Sequence, residues 1–434
     1  MEEAVGLMRE PLRRKFLVLS LIFLMVCFSG TAYGAVYYVD NSGSPTCSDS
    51  SSYGSEAHPC CTINYSVDRV AAGDTVYVKN GTYNENVYIS GKSGGAGYIT
   101  FRNHAGHSPL LYGDGVNSGR NKIINSSYIQ FLGFRITNYN QGFFVEDSSN
   151  ILLQNLTIYG VGQEGVHIRD NSSYVTLQDS LIHDTRAWQY NGEGIYIGTS
   201  SSSQPGNPPY DTTNNITIKG NTIYNTNDEC IELKPGTHDV VVDGNTMYNC
   251  LLDPSITATN WGYVEVMNPE GFYGSNPNHT IKNNTIHGTK TALGIHTGST
   301  TFNNVIYGQT GSYPGISIDN PDSDSYTRYI YHNTVDLPNA RAIVRSSGTA
   351  DIRNNIGPTT ANNLATSSGY FINQAAADYH LVGGSAPIKA GVDLRSTVPL
   401  DHDGITRNSQ PDIGAYEFTE ANPPQPPLKL RIVP

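Results

Sequence analysis

The sequence predicts an all-β protein, a right-handed parallel β-helix with a capped N-terminus. One phrase recurs: two alternating apolar residues, a short polar step and a further apolar residue, at 151–158, 175–182, 216–223, 240–247 and 330–335. Aligned, these phrases stack Phe134, Leu156, Ser180, Asn221, Asn245, Asn284 and Asn333 in one column, with uninterrupted steps of 22 residues (134 to 156) and 24 residues (156 to 180, 221 to 245). Period-2 alternation specifies strands, and a repeat in the twenties specifies stacked coils rather than a sandwich. Composition agrees: Gly, Asn, Ser, Thr and Tyr are abundant, no long run has a helical period, and only 15% of the 434 residues are charged, which is too few for a disordered chain.

Residues 1–34 read as a signal peptide. Arg13, Arg14 and Lys15 precede an apolar run from Phe16 to Phe28, and Ala32-Tyr33-Gly34 offers a small-x-small cleavage site. The run is short for a transmembrane span and no second one follows, so the mature chain is expected to be secreted, extracellular or on the cell surface, with no stable membrane span. Residues 35–120 form the cap and first coils, with a short helix at Ser66–Ala72 closing the tube before a strand at Thr75–Lys79. A cap is needed because an open coil end is an unpaired sheet edge. Residues 121–377 are the coils, 378–418 the C-terminal end of the β-helix, and the Pro-rich 419–434 an extended tail.

Without the leader, 22 Lys+Arg face 35 Asp+Glu, a net charge of −13. This argues against nucleic acid as a partner. It also repels a polyanionic sugar unless local cations or a metal reverse the field. A monomer is expected. Five cysteines remain; Cys47 is expected to bridge to Cys60 or Cys61, and the odd count leaves at least one thiol free or paired outside the chain.

Each coil contributes a second short strand, the front strand: Gly165–Arg169, Gly194–Gly198, Cys230–Lys234, Tyr263–Met267, Gly294–Thr297 and Gly315–Asp319. Their apolar members point into the tube, so the residues between point out. One outward column then runs Phe144, His167, Tyr196, Glu232, Glu265, His296, Ser317. A second runs Glu146, Arg169, Gly198, Lys234, Met267, Gly298, Asp319, and a third holds Glu164, Glu193 and Glu229. Insertions at 184–193, 199–213, 250–262 and 268–278 enter or leave the same strands and carry Trp188, Trp261, Tyr190, Tyr210, Phe272 and Tyr273. Charge, aromatics and long loops together predict a cleft for sugar rings, with Tyr196, Trp188, Trp261 and Glu265 as substrate-binding residues.

Within that cleft Lys234 is the candidate general base. β-Elimination on a uronate polymer removes the proton next to a carboxylate, which needs a base of lowered pKa and a cation to neutralise the developing enolate. Glu193, Asp228, Glu229 and Glu232 are the candidate ligands of a Ca²⁺ cofactor, since carboxylates one coil apart repel unless a cation intervenes and hard oxygens favour Ca²⁺ over zinc. Arg169 is a further catalytic candidate, and His167 and His296 are candidate proton donors to the leaving oxygen.

Two resemblances bear on this reading. Tyr37-Tyr38-Val39, Gly73–Val78 and Gly81-Thr82-Tyr83, with Ser385–Ile388, Asp403-Gly404, Arg407 and Pro411–Glu417 at the other end, resemble the opening and closing segments of secreted pectate-lyase-like β-helix proteins. Gly192–Gly198, followed one coil later by Ile231–Thr237, is similar to motifs of the alginate and chondroitin lyase family. That resemblance implies Lys234 as base and Glu229 with Glu232 as metal ligands. The family also places an arginine one coil after the lysine, where this sequence has Met267. The expected function is therefore a polysaccharide lyase. The alternatives are a glycoside hydrolase using Glu193, Glu229, Glu232 or Glu265 as an acid/base pair, an epimerase, or a non-enzymatic adhesin or glycan-binding scaffold.

Overall fold

Each coil turns through three short strands, because each alternating apolar phrase can bury only one side and must close on itself to do so. The computed structural model describes residues 34–420, apart from 96, 186–190, 201–210, 267–276, 322 and 359. The expected signal peptide up to Tyr33, the expected tail beyond Glu420, and Trp188, Tyr190, Tyr210, Met267, Phe272 and Tyr273 lie outside the described residues. Among the described residues the strands stack in parallel into sheets of 12, 10 and 12 members, one strand per coil in each. Parallel crossovers of this kind are right-handed.

The 10-stranded sheet is the front. Its inward register runs Phe143, Val166, Ile195, Ile231, Val264, Leu293, Ile316. The inward pairs Ile195 and Ile197, Ile231 and Leu233, and Val264 and Val266 are fully buried. Each such side chain contributes about 1.5–3 kcal/mol of burial, and a slip of one residue would turn all of them to water. The outward direction of the intervening side chains is therefore fixed by the core.

The corner between the two 12-stranded sheets is built from a two-residue device. Asn155, Asp179, Gly220, Gly244, Asn283, Asn303, His332 and Asn354 all take left-handed backbone, which makes the turn sharp. From Asn221 onward the next residue in each coil forms a ladder. Oδ1 of Asn245 accepts from the backbone N–H (2.9 Å) and the side-chain amide (3.0 Å) of Asn221, and Oδ1 of Asn284 does the same for Asn245. The ladder continues through Asn304, Asn333, Asn355 and Asn363. Asn304 is absent from the column read off the sequence because buried Thr301 takes the inward place held by Ile281 and Ile330 on the adjacent coils.

The cap helix spans Ile63–Arg69, three residues earlier than expected. Thr62 accepts the N–H of Tyr65, and the carboxylate of distant Glu85 accepts those of Ile63 and Asn64. Cys47 bridges to Cys61, Cys60 is a buried free thiol, and a second bridge joins Cys230 to Cys250. At the other end, coil stacking stops at Leu364–Ala365. The segment to Phe418 lies along the Asn corner, where Arg407 donates to Oδ1 of Asn303 (2.8 Å) and the N–H of Ala415 to Thr334 (2.9 Å).

Candidate functional site

The front strands set which side chains meet. Phe144, His167, Tyr196, Glu232 and Glu265 stand in one outward column as expected, but Gly294, not His296, follows Glu265. The strand there is Thr291–Ile295, with both Leu293 and Ile295 inward. Taking Ile295 as the first inward residue puts His296 two places out of register. His296 belongs instead to the column of Glu146, Arg169, Gly198 and Lys234, next to Asp319, and Gly298 drops out of it. The third set is stacked as expected: the carbonyls of Glu164, Glu193 and Glu229 accept from Gly142, Gly165 and Gly194 on successive coils.

Three of the four expected metal ligands converge. One carboxylate oxygen from each of Glu193, Asp228 and Glu229 lies within 4.8 Å of the others. Burial raises the Glu193 carboxyl well above the usual range, and Glu232, Glu164 and Asp228 add to it. Burial also raises Glu229, helped by Glu232, Asp228, Glu265 and Glu193. Oδ1 of Asp228 is buried without a hydrogen-bond partner among the described residues. A set of hard, crowded oxygens with an unsatisfied acceptor fits Ca²⁺. Glu232, the fourth expected ligand, turns its carboxylate to Lys234. Burial pushes its pKa up to about 7 against the pull of that lysine.

Lys234 pairs with Glu232 and stands 4.9 Å from the centroid of the Tyr196 ring. Burial alone would lower its pKa. Glu232, with Tyr196 and Glu229, outweighs burial, so the ammonium form is favoured. That is the opposite of what a base needs while Glu232 remains its partner. His296 is clamped at both ring nitrogens, by Glu265 at Nε2 and Asp319 at Nδ1. Its burial would lower the pKa, but these two carboxylates raise it to about 10, so it is an imidazolium at neutral pH. Glu265 also accepts the N–H of Gly262 (2.7 Å) and is 1% exposed, so its carboxylate is committed within the protein rather than offered to a substrate.

His167 differs from expectation. Its Nε2 bonds the carbonyl of Gly198 (2.8 Å), and burial lowers its pKa to about 3. It is a neutral ring whose N–H is already spent, and so not a proton donor to a leaving group. Arg169 donates to Glu146 through Nε (2.8 Å) and Nη2 (2.6 Å) and lies two coils from Lys234, roughly 10 Å along the column. Trp261 is 41% exposed just before the strand Gly262–Val266, on a loop whose start is tied to the site by the Cys230–Cys250 bridge and by Leu251 N–H donating to the Asp228 carbonyl (2.8 Å). Sequence reasoning misses this bridge and the Glu265–His296–Asp319 clamp. For the clamp the alternation Leu293-Gly294-Ile295 is the available signal.

The family described as right-handed β-helix region matches residues 141–378, more than half of the chain. The chain belongs to this right-handed β-helix family. The family described as Pel9A-like, right-handed β-helix region, matches residues 37–208. Pectate lyase Pel9A aligns with the β-helix protein at TM-score 0.63 and 17% identity, covering 89% of this chain and 97% of that one. An alginate lyase from Paenibacillus sp. str. FPU-7 aligns at TM-score 0.54 and 19% identity, covering 70% and 96%. No curated protein sequence matches the chain. The β-helix fold is thus pectate-lyase-like. Among the described residues no helix is long and apolar enough to cross a membrane.

Proposed function

We propose that this is a secreted carbohydrate-active protein that cleaves a uronate-containing polysaccharide by β-elimination at the front face. The observation that carries the reading is the buried Glu193–Asp228–Glu229 cluster beside Lys234, joined to it through Glu232. The two disulfides support export, since such bridges persist in oxidising compartments. The similarity to pectate and alginate lyases supports a polyuronate substrate.

Glu193, Asp228 and Glu229 would hold Ca²⁺, with Glu232 as the shared neighbour. Bound Ca²⁺ supplies positive charge that neutralises a uronate carboxylate. Lys234 takes the proton next to that carboxylate, the bond to the leaving glycosidic oxygen breaks, and a carbon–carbon double bond forms in its place. Glu232 controls the base: Lys234 is held as an ammonium while the carboxylate faces it and is released when the carboxylate turns to the cluster or carries a proton. The departing oxygen takes its proton from solvent, since both N–H groups of His296 are engaged by Glu265 and Asp319. Exposed Trp261 supplies apolar surface for the sugars, while Tyr196 is buried beside Lys234.

The test is incubation with pectate, alginate and glycosaminoglycans, with Ca²⁺ or with chelator. Ultraviolet absorbance of an unsaturated product, lost on chelation, is expected. New reducing ends without absorbance would replace the reading with hydrolysis, and no product from any polymer with retained binding would replace it with a scaffold. Lys234→Ala is expected to lower turnover by at least about 100-fold, the lower range for a positioned acid or base. Full turnover would remove the lysine from the mechanism.

A further inference from the structure

An acidic protein that takes a polyanion needs a place where the sign of its field reverses. The first front coils provide one. Arg120 and Lys122 lie on the coil before Phe144, and Arg169 on the coil after it. The guanidinium carbons of Arg120 and Arg169 stand 4.6 and 5.3 Å from the centroid of the Phe144 ring. Phe144 itself is buried, so guanidinium surface rather than a ring face is presented there. Two carboxylates pair with the group, Glu146, shared by Lys122 and Arg169, and Asp170, 3.4 Å from Nε of Arg169, and the three cations exceed them by one. Arg120 is exposed. Among the described residues Nη1 of Arg169 has no hydrogen-bond partner.

Between this group and Lys234 the column itself carries no side chain. Gly198 stands between Arg169 and Lys234 in their column. Its φ is +92°, and a Cβ there would lie 2.6 Å from Thr237 and 3.0 Å from the Cβ of Lys234. No ordinary side chain fits. The bond from His167 to the Gly198 carbonyl fixes that floor. An extended polymer lying over the column crosses two rungs, roughly 10 Å, between Arg169 and Lys234.

We propose that Arg120, Lys122 and Arg169 form a carboxylate-reading subsite that engages an acidic sugar N-terminal of Lys234 and selects uronate polymers over neutral ones. The proposal rests on the polyuronate reading above. Guanidinium suits the task because its planar fork matches a carboxylate.

The experiment is affinity electrophoresis of the full chain through gels containing polygalacturonate or alginate, and through gels containing the same polymers after carboxyl reduction. Arg120→Gln and Arg169→Gln are each expected to weaken retention by the acidic polymers about tenfold, as for one lost charge-assisted hydrogen bond, and to leave retention by the reduced polymers unchanged. Arg120, being exposed, carries the test without risk to the fold. Wild-type retention of Arg120→Gln and of the double variant on the acidic polymers overturns the subsite, as does an equal loss on acidic and reduced polymers. A wild-type chain retained by no uronate polymer overturns the parent reading and the subsite with it. A chain that binds but does not cleave overturns only the elimination.

Discussion

The Asn corner and the acidic front use the same geometry to opposite ends. Both place like side chains on successive coils, about 4.8 Å apart. At the corner the repeated group is an amide, which carries a donor and an acceptor, so each Asn satisfies the next: Asn221, Asn245 and Asn284 bond in series, and each amide also reaches a backbone carbonyl. At the front the repeated group is a carboxylate, which only accepts. Burial raises the pKa of Glu164, Glu193 and Glu229, and for Glu193 and Glu229 the neighbouring carboxylates add to it. Repetition of a self-complementary group yields stability, and repetition of a like-charged group yields a binding demand.

The largest expected effect breaks the corner. Asn245→Ala removes the acceptor used by the backbone and amide of Asn221 and the donor to the carbonyl of Ile218, all buried. A loss of about 2–4 kcal/mol is expected in urea unfolding. A loss below about 1 kcal/mol, the size of one ordinary hydrogen bond, would mean that the ladder is ornamental and the contrast false. The front should respond the other way. Burial raises the folded-state pKa of Glu229, so the native chain holds a proton where the unfolded chain has released it. Its contribution to stability is complete below the ordinary glutamate pKa of about 4.3. It is lost as pH rises from there to the raised folded value, at about 1.4 kcal/mol for each pH unit crossed. Wild-type protein without Ca²⁺ should thus lose more melting temperature between about pH 5 and pH 8 than Glu229→Gln. Adding Ca²⁺ at the upper end of that range should raise the melting temperature of the wild type and not of the variant. Identical pH slopes in calorimetry would show that the column is not under electrostatic tension.

The smallest effect sharpens the comparison at the ladder's start. Ser180 holds the rung before Asn221 and accepts from Leu156 N–H at 3.1 Å. Ser180→Asn should extend the ladder by one amide and add about 0.5–1 kcal/mol. Destabilisation instead would show that the Leu156 rung leaves no room for the amide.

Most of the frame is legible in the sequence because period-2 alternation and a near-constant coil length are local signals. The outward positions of Tyr196, Glu232 and Lys234 follow from Ile195, Ile197, Ile231 and Leu233 alone. The site is less legible where register depends on an irregular coil. Gly294 lies between two inward residues and carries no side chain to mark the outward place, so the sequence sets His296 opposite Glu265 instead of beside Asp319. The state of each group is least legible. Whether Lys234 is a free amine or an ammonium depends on which way one carboxylate turns, and nothing in the spacing of Glu232 fixes that. The early start of the cap helix is partly of this kind: Thr62 is a local N-cap, but Glu85 accepts the N–H groups of Ile63 and Asn64 from 22 and 21 residues away.

The Cys230–Cys250 bridge ties the Trp261 loop to a front strand whose own burial does not need sulfur. Material made in a reducing cytoplasm should consequently pass every gross check, from circular dichroism to gel filtration, while one wall of the cleft swings loose. Low activity from such preparations would report the redox history of the sample rather than the chemistry of the protein.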